Sequence, residues 1–582
     1  MNVYKRLKQL LNKKQKRTVV LLIVLIFFSA LLETLSVSVI IPLMSAVIKP
    51  DEIFDNKIVA EVLNMLNLTI TDKDNFIRIL IGVTMGVFVI KNLYLLFLYF
   101  VQSSFVTKTE AATSVRLYND YLGRPYEFYL NADVNAMFQT INKDIPHVFE
   151  LLQESMKLIT EIAVSACICI MLFIIDFKMT LSIAAIMVVM LGFIVLVLKP
   201  KLGGLGQKRV KQQVLTMKWM QQGIFGIKDV KVAHKENHFL DNFTDAYNKL
   251  AGVTRRYTVF NNAPRLAIET VCIVGLLGYM LVCILSGQDM IEMIPTLTAF
   301  GLAAVRLMPG VNRISSHLST IAYYEPSLNF ICDNLDFANM SEIDGEKKNE
   351  RLVLKDKITL NDITYAYPNT DKYIFDKASM EIKKGTSVGV MGPSGAGKTT
   401  VIDILLGLLK PASGKVCVDE TNIEDDYAGF LSNVGYIAQN IYMLDTTIRA
   451  NVAFGVDEKD MDEARIWKVL EQAQMADFIK GLPEGLDTII GDRGVRISGG
   501  QRQRLGIARA LYHDPEILVF DEATSALDSD TESAIMDAIN TLRGEKTMVI
   551  IAHRLNTIAN CDQIYKVENG KITETNLDNI EK

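Results

Sequence analysis

Charge is scarce in this sequence. Only 22% of its 582 residues are Asp, Glu, Lys or Arg, half are apolar, and the mean hydropathy is positive. That balance argues against a chain that is soluble throughout and points to a membrane protein with a sizeable soluble part. Cysteine patterning is missing too. Cys167, Cys169, Cys272, Cys283, Cys332, Cys417 and Cys561 show no paired zinc-ligand spacing, and Cys167 and Cys169 stand two apart on an apparent helix, facing different directions. Neither a disulfide framework nor a zinc site is expected, and each cysteine reads as a small apolar residue. No nucleic-acid-binding feature occurs. The first seventeen residues contain no acid, only the bases Lys5, Arg6, Lys8, Lys13, Lys14, Lys16 and Arg17. They read as a cytoplasmic anchor beside anionic lipid.

What is present instead is long apolar runs. Stretches near 18–46, 79–105, 156–176, 179–198, 265–286 and 290–312 are each long enough to span a bilayer, which needs about 20 residues. The first is far longer than a secretory signal core of roughly 7–15 residues, so it reads as a retained helix. Asp176-Phe177-Lys178 makes a tight turn between the third and fourth, and Pro295 and Pro309 interrupt the sixth. Between Lys199 and Pro264 twelve Lys/Arg face four Asp/Glu, whereas 49–78 holds four basic and six acidic residues. The bias predicts cytoplasmic termini and a cytoplasmic 199–264 segment, with 106–157 on the same side by alternation. Both segments carry apolar residues at helical spacing, so the spans are expected to extend well below the bilayer. Val59, Val62, Leu63 and Leu66 suggest a short amphipathic helix on the outer face. The predicted organisation is a basic N-terminus (1–17), a six-helix transmembrane domain (18–320), a polar linker (321–356) and an α/β soluble domain (357–582).

The soluble domain carries the chemistry. Ser387–Met391 reads as a buried strand and runs into Gly392-Pro393-Ser394-Gly395-Ala396-Gly397-Lys398-Thr399-Thr400, followed by a helix expected over Val401–Leu408. This is G-x-x-x-x-G-K-[ST] in the strand–loop–helix setting that a phosphate loop needs. The glycines let backbone N–H groups cradle phosphates, Lys398 reaches the β/γ-phosphates, and Thr399 takes Mg²⁺. A second apolar run, Ile517–Phe520, ends in Asp521-Glu522, an acid placed to hold Mg²⁺ followed by one placed to polarise water. Between the two lies Ile497-Ser498-Gly499-Gly500-Gln501-Arg502-Gln503-Arg504, with a helix expected over Gln501–Leu511.

With this last segment the sequence resembles the ATP-binding cassette family, whose signature is usually L-S-G-G-Q. The resemblance implies roles for further residues in order along the chain. Tyr367 in Tyr365-Ala366-Tyr367-Pro368 sits where the family stacks an aromatic on adenine. Gln439 matches the glutamine that senses Mg²⁺ and the membrane domain. Asp528 in Ser525-Ala526-Leu527-Asp528 matches the loop that crosses the dimer interface, and His553 matches the switch histidine at the γ-phosphate. It also implies a homodimer in which each ATP lies between one chain's phosphate loop and the other chain's Ser498-Gly499-Gly500-Gln501, with Glu522 as general base. No motif is degenerate, so both composite sites are expected to be competent.

The membrane region is similar to the exporter branch of that family. Phe128–Asn131 through Asp144 looks like the first coupling helix and its flanks, Met220–Asp229 like the second, and Gly491-Asp492-Arg493-Gly494 like the loop that touches them. The expected fold is an all-α six-helix transmembrane exporter domain fused to an α/β P-loop nucleotide-binding domain, in the cell inner membrane with the ATPase domain cytoplasmic. Ionisable residues within the apolar runs are functional candidates because they are costly there: Glu33, Lys91 and Arg306, with Arg265 and Arg313 at the edges. The segments around Glu33, Arg265 and Arg306–Arg313 are similar to bacterial lipid-linked oligosaccharide flippases, in which basic residues of the membrane domain hold a pyrophosphate. Lys91 departs from the arginine expected there. The alternatives are an exporter of another lipid, peptide or drug-like amphiphile, and a membrane-anchored ATPase that drives no transport. One anchor helix would suffice for the latter, so six spans argue against it. A channel or regulator would be expected to degrade a catalytic motif.

Overall fold

The computed structural model describes residues 3–48, 73–175, 181, 189, 192–285, 290–334, 350–368, 370, 372–491, 494–522, 536–537, 539–552 and 555–576. The turn at Asp176-Phe177-Lys178, the outer segment around Val59–Leu66, Asp492, Arg493, Asp528 and His553 lie outside them. Contacts divide the chain into two units. One comprises Met1–Arg124 and Ala132–Ile343, the other Pro125–Asn131 and Asp344–Lys582.

The first unit is helical: α1 (Val3–Leu10), α2 (Lys13–Ile48), α3 (Lys73–Gly123), α5 (Val134–Gln139), α6 (Ile145–Ile175), α7 (Lys199–Phe225), α8 (Ile227–Val232), α9 (Glu236–Leu285) and α10 (Met290–Asn334). The helix between α3 and α5, α4 (Tyr126–Asn131), groups with the second unit. α3 has 51 residues, about 75 Å at 1.5 Å per residue, more than twice the thickness of a bilayer core. Among the described residues, Lys13–Ser36 and Ile77–Gly123 are long and apolar enough to cross a membrane. Their faces carry exposed Val24, Phe27, Leu93, Leu96 and Phe100, while Leu22, Ile26 and Leu98 pack inward. α10 passes through Pro295 and Pro309 without ending, and α9 through Pro264. α10 also runs on to Asn334, so the first residues of 321–356 continue the helix.

α6 and α10 pack antiparallel along a polar seam. Ser327 donates to Asp144 (2.6 Å), just before α6; His317 bonds Glu154 (2.5 Å); Arg313 pairs with Glu161 (2.6 Å). Residue numbers rise on one helix as they fall on the other. α7 joins at Gly206, where a Cβ would lie 2.2 Å from the Tyr323 carbonyl. That close approach seats the buried Arg209 between the Tyr323 and Tyr324 rings, donating to Ser327 Oγ at 2.6 Å. Burial pushes Asp144 up and Arg209 down from their usual ranges, and each is the nearby counter-charge that offsets the other's desolvation.

Two segments gain detail here. The N-terminal bases are not simply a lipid-facing tail: Leu7 and Leu10 bury one face of α1, and Arg6 pairs with Asp333 at 2.8 Å. The expected second coupling segment, Met220–Asp229, is split. Met220–Phe225 is the end of α7, Gly226 caps it, and the short helix is α8. Gly226, at φ −90° and ψ 20°, separates the two helices.

The second unit is α/β. β1 (Lys357–Tyr365), β2 (Phe375–Lys383), β4 (Ser413–Val418) and β5 (Thr421–Asn422) form an antiparallel sheet in the order β2-β1-β4-β5. The other sheet, β10-β9-β3-β8-β7-β6, is built from β3 (Ser387–Met391), β6 (Val434–Ile437), β7 (Ile517–Asp521), β8 (Thr547–Ile551), β9 (Gln563–Glu568) and β10 (Lys571–Thr575). Within it β9, β3, β8, β7 and β6 run parallel. β7 and β8 are buried along their whole length, which explains their unbroken apolar runs. A layer with α12 (Ile448–Val452), α13 (Glu463–Gln472) and α14 (Ala476–Lys480) packs with α15 (Gly499–Leu511) around Leu470, Leu505 and Ile507. In parallel sheets of this kind ligands bind beyond the carboxyl ends of the strands, and β3, β6 and β7 all end at the motifs found in the sequence.

Candidate functional site

β3 delivers the chain to Gly392, and α11 (Lys398–Leu405) leaves from Gly397. The helix starts at Lys398, three residues before the expected Val401, and ends at Leu405 before the expected Leu408. Gly397 is its N-cap in the left-handed region, φ +104°. A Cβ there would lie 2.8 Å from Ile374 Cγ2 and 2.9 Å from Phe375 Cζ, so the position tolerates only glycine. Lys398 is buried and its ammonium donates to the carbonyls of Gly392 (3.0 Å) and Pro393 (3.2 Å), folding the loop around its own lysine. Burial pushes the Lys398 pKa down, while Glu522 and Asp521 hold it up. Thr399 is exposed at the helix start; Thr400 is buried and bonds the Tyr367 hydroxyl at 2.9 Å. Tyr367 is half-buried and meets Tyr365 edge to face.

β7 ends at Asp521, which is 5% exposed, and burial and the neighbouring Glu522 raise its pKa. Glu522 follows in the left-handed region at φ +50°, a conformation that costs a non-glycine residue of order 1 kcal/mol and is met at functional sites. Gln439, just beyond β6, donates to Glu522 Oε2 at 2.5 Å. Thus Tyr367, the loop Gly392–Thr400, Gln439, Asp521 and Glu522 converge at one edge of the sheet. The residues fit a divalent cation: among the described residues, Asp521 Oδ1 is buried without a hydrogen-bond partner, and an exposed threonine hydroxyl completes a set of hard oxygen ligands.

Ser498–Gln501 stand apart. Ser498 caps α15, which starts at Gly499 and not at the expected Gln501. Its Oγ accepts from Gln501 N (3.2 Å), and Gln501 Oε1 accepts from Ser498 N (2.8 Å). Ser498 and Gly499 are exposed, and among the described residues no hydrogen bond joins them to the phosphate loop.

In the helical unit, Glu33 lies within electrostatic reach of Lys91, Glu161 and Arg313. Four helices therefore meet at one charged cluster. Lys91 also sits over the Phe88 ring at 4.8 Å. Arg265 is exposed on α9, outside this cluster. Arg306 lies on α10, at a position whose side chain is outside the described residues. Glu161, which is not among the residues singled out in the sequence, joins this cluster through Arg313. Glu161 stands seven residues after Glu154, on the same face of α6, and that spacing was a usable signal.

A bundle of very long helices joined to a phosphate-loop ATPase domain defines the architecture of an exporter. Residues 375–525 match the family model described as ABC transporter. An ATP-dependent lipid A-core flippase of Burkholderia orbicola is 30% identical over 69% of this chain and 67% of its own length. One of Ralstonia nicotianae is 28% identical over 79% and 78%. A solved structure of a bacterial Atm1-family ABC exporter with ATP bound shares the fold, with a TM-score of 0.74 at 20% identity, covering 97% of this chain and 96% of that one. The chain belongs to the ABC transporter family, as a half-size exporter that couples ATP hydrolysis to transport.

Proposed function

We propose that this chain works as a homodimer in the cell inner membrane, with 18–320 spanning it and 357–582 cytoplasmic, and flips an amphipathic glycolipid whose head group is anionic. A lipid-linked oligosaccharide is the substrate class we favour. The observation that carries the substrate reading is the cluster of Glu33, Lys91, Glu161 and Arg313. Charged side chains in membrane helices are expensive and persist where they face one another or a polar path. Arginine offers a phosphate two hydrogen bonds at once, which favours Arg313 and Arg306, with Arg265 and Lys91 as further contacts. The relatives' names supply a second substrate of the same chemistry, a lipid A-core glycolipid.

On this reading Lys398 and the N–H groups of Gly392–Thr400 hold the ATP phosphates, Tyr367 stacks on adenine, and Asp521, Thr399 and Gln439 hold Mg²⁺. Bound there, the cation would neutralise charge on the phosphates. Glu522 orients and deprotonates the attacking water, and His553 and the partner copy's Ser498-Gly499-Gly500-Gln501, with Asp528 at the interface, close the site. The exposure of Ser498, and the lack among the described residues of a hydrogen bond from it to the phosphate loop, support a site completed by a second copy. Stimulation of ATPase activity in reconstituted protein tests the substrate. Lipid-linked oligosaccharides should stimulate, and neutral lipids and drug-like amphiphiles should not. Stimulation by lipid A-core glycolipid alone would select the second substrate, and stimulation only by neutral amphiphiles would overturn the anionic-head reading.

A further inference from the structure

The two oxygens of the Asp521 carboxylate are treated unequally. Oδ2 accepts a hydrogen bond from the Tyr436 hydroxyl at 3.4 Å. Oδ1 is buried and, among the described residues, has no hydrogen-bond partner. A buried carboxylate oxygen left unpartnered costs about 1–3 kcal/mol, so its persistence calls for a ligand. The sheet explains how the tyrosine arrives. β6 is the neighbour of β7, and Tyr436 pairs in register with Val519. Side chains two apart on a strand share a face, so Tyr436 lies on the face that carries Asp521. Three residues later the same chain segment delivers Gln439 to Glu522. Tyr436 also lies within electrostatic reach of Asp403 on α11 and of Tyr126 on α4, so one hydroxyl stands among the acids behind the phosphate loop.

We propose that Tyr436 is a positioning residue for the metal-binding acid: it holds Oδ2, fixes the plane of the Asp521 carboxylate, and leaves Oδ1 as the oxygen that takes the divalent cation. This rests on the reading of Asp521 as an Mg²⁺ ligand. Outer partners of metal ligands commonly contribute 10–100-fold to metal affinity. A single hydrogen bond as long as 3.4 Å belongs at or below the lower end of that range.

The test uses full-length protein in detergent, with Mn²⁺ as a spin-active substitute for Mg²⁺ and a non-hydrolysable ATP analogue. Free Mn²⁺ is read by electron paramagnetic resonance, and analogue binding is measured separately in EDTA. Tyr436→Phe keeps the ring and removes the hydroxyl. It should weaken Mn²⁺ binding by about 5–10-fold and leave analogue affinity in EDTA unchanged; Tyr436→Leu should do the same. Asp521→Asn should weaken Mn²⁺ binding more. Normal Mn²⁺ affinity in Tyr436→Phe, alongside a clear loss in Asp521→Asn, overturns the role of Tyr436. Equal loss of Mn²⁺ and metal-free analogue binding in the tyrosine variants overturns it too, since that is a packing defect. Normal Mn²⁺ binding in Asp521→Asn defeats the metal assignment itself.

Discussion

Arg313 on α10 and Glu161 on α6 form an ion pair, Nε to Oε1 at 2.6 Å, with the arginine side chain half exposed and the glutamate largely covered. An arginine held by a covered acid but open on its other side can exchange that acid for an anionic head group. Arg313→Ala should therefore abolish ATP-dependent flipping of an anionic glycolipid while basal ATPase survives. Glu161→Gln should leave flipping within a few-fold of normal. Arg313→Ala should also lower stability, because it leaves the largely covered Glu161 without its partner. Vesicle-based translocation and thermal unfolding on the same preparations measure both effects. Equal loss of transport in the two variants, tracking equal loss of stability, would mean that the pair only holds the helices together.

Glu522 is held in a left-handed backbone conformation and bonded by Gln439. Glu522→Gln should cut ATP turnover at least 100-fold, a range in keeping with loss of a general base, while ATP still binds. The variant should accumulate an ATP-bound closed dimer, seen as a crosslink between the two Ser498 regions and phosphate loops. Wild-type turnover in the purified variant would remove Glu522 from the chemistry.

Complementation tests the shared site. A chain carrying Lys398→Ala mixed with one carrying Ser498→Ala should regain one working site per heterodimer and a fraction of wild-type ATPase. Each variant alone should be inactive. No recovery in demonstrated heterodimers would place a complete site within one chain.

Asp403 is titrated by its surroundings. Burial, with Asp521 nearby, pushes its carboxyl up to about 6 from an ordinary value of 3.8. A raised acid pKa means that the protonated folded state is the favoured one. The benefit is full below pH 3.8 and is lost as pH rises through about 6. Asp403→Asn should hence stabilise the ATPase unit at pH 8 relative to wild type, on the order of 1 kcal/mol after allowing for solvent screening. The difference should shrink towards pH 4. Thermal unfolding of the full chain across that range reads it. A difference that stays constant with pH would mean that Asp403 titrates normally in the fold.

Sequence reasoning reached the elements whose signal is local. β3 and β7 are unbroken apolar runs that end in Gly392 and in Asp521-Glu522, and both the strands and the motifs could be read directly. Helix starts were placed late for two physical reasons. Gly397 caps α11 through a left-handed backbone and no side chain, so it gave no polar cap to recognise. At α15 the signal was present: Ser498 followed by Gln501 is a capping box, and the glycines between them drew the reading towards a loop. Long-range pairings were out of reach. Nothing local to Asp144, Arg209 or Ser327 says that they meet, since they lie far apart along the chain. Tyr436 carried no signal either, because only the register of β6 against β7 brings it to Asp521.

Translocation itself is the most direct test of the account. Purified wild-type protein, reconstituted into vesicles with a fluorescent lipid-linked oligosaccharide, should move the head group across the bilayer when ATP and Mg²⁺ are supplied. Glu522→Gln in matched vesicles should not. ATP hydrolysis at the normal rate without any movement of an anionic glycolipid, whether lipid-linked oligosaccharide or lipid A-core, would contradict it.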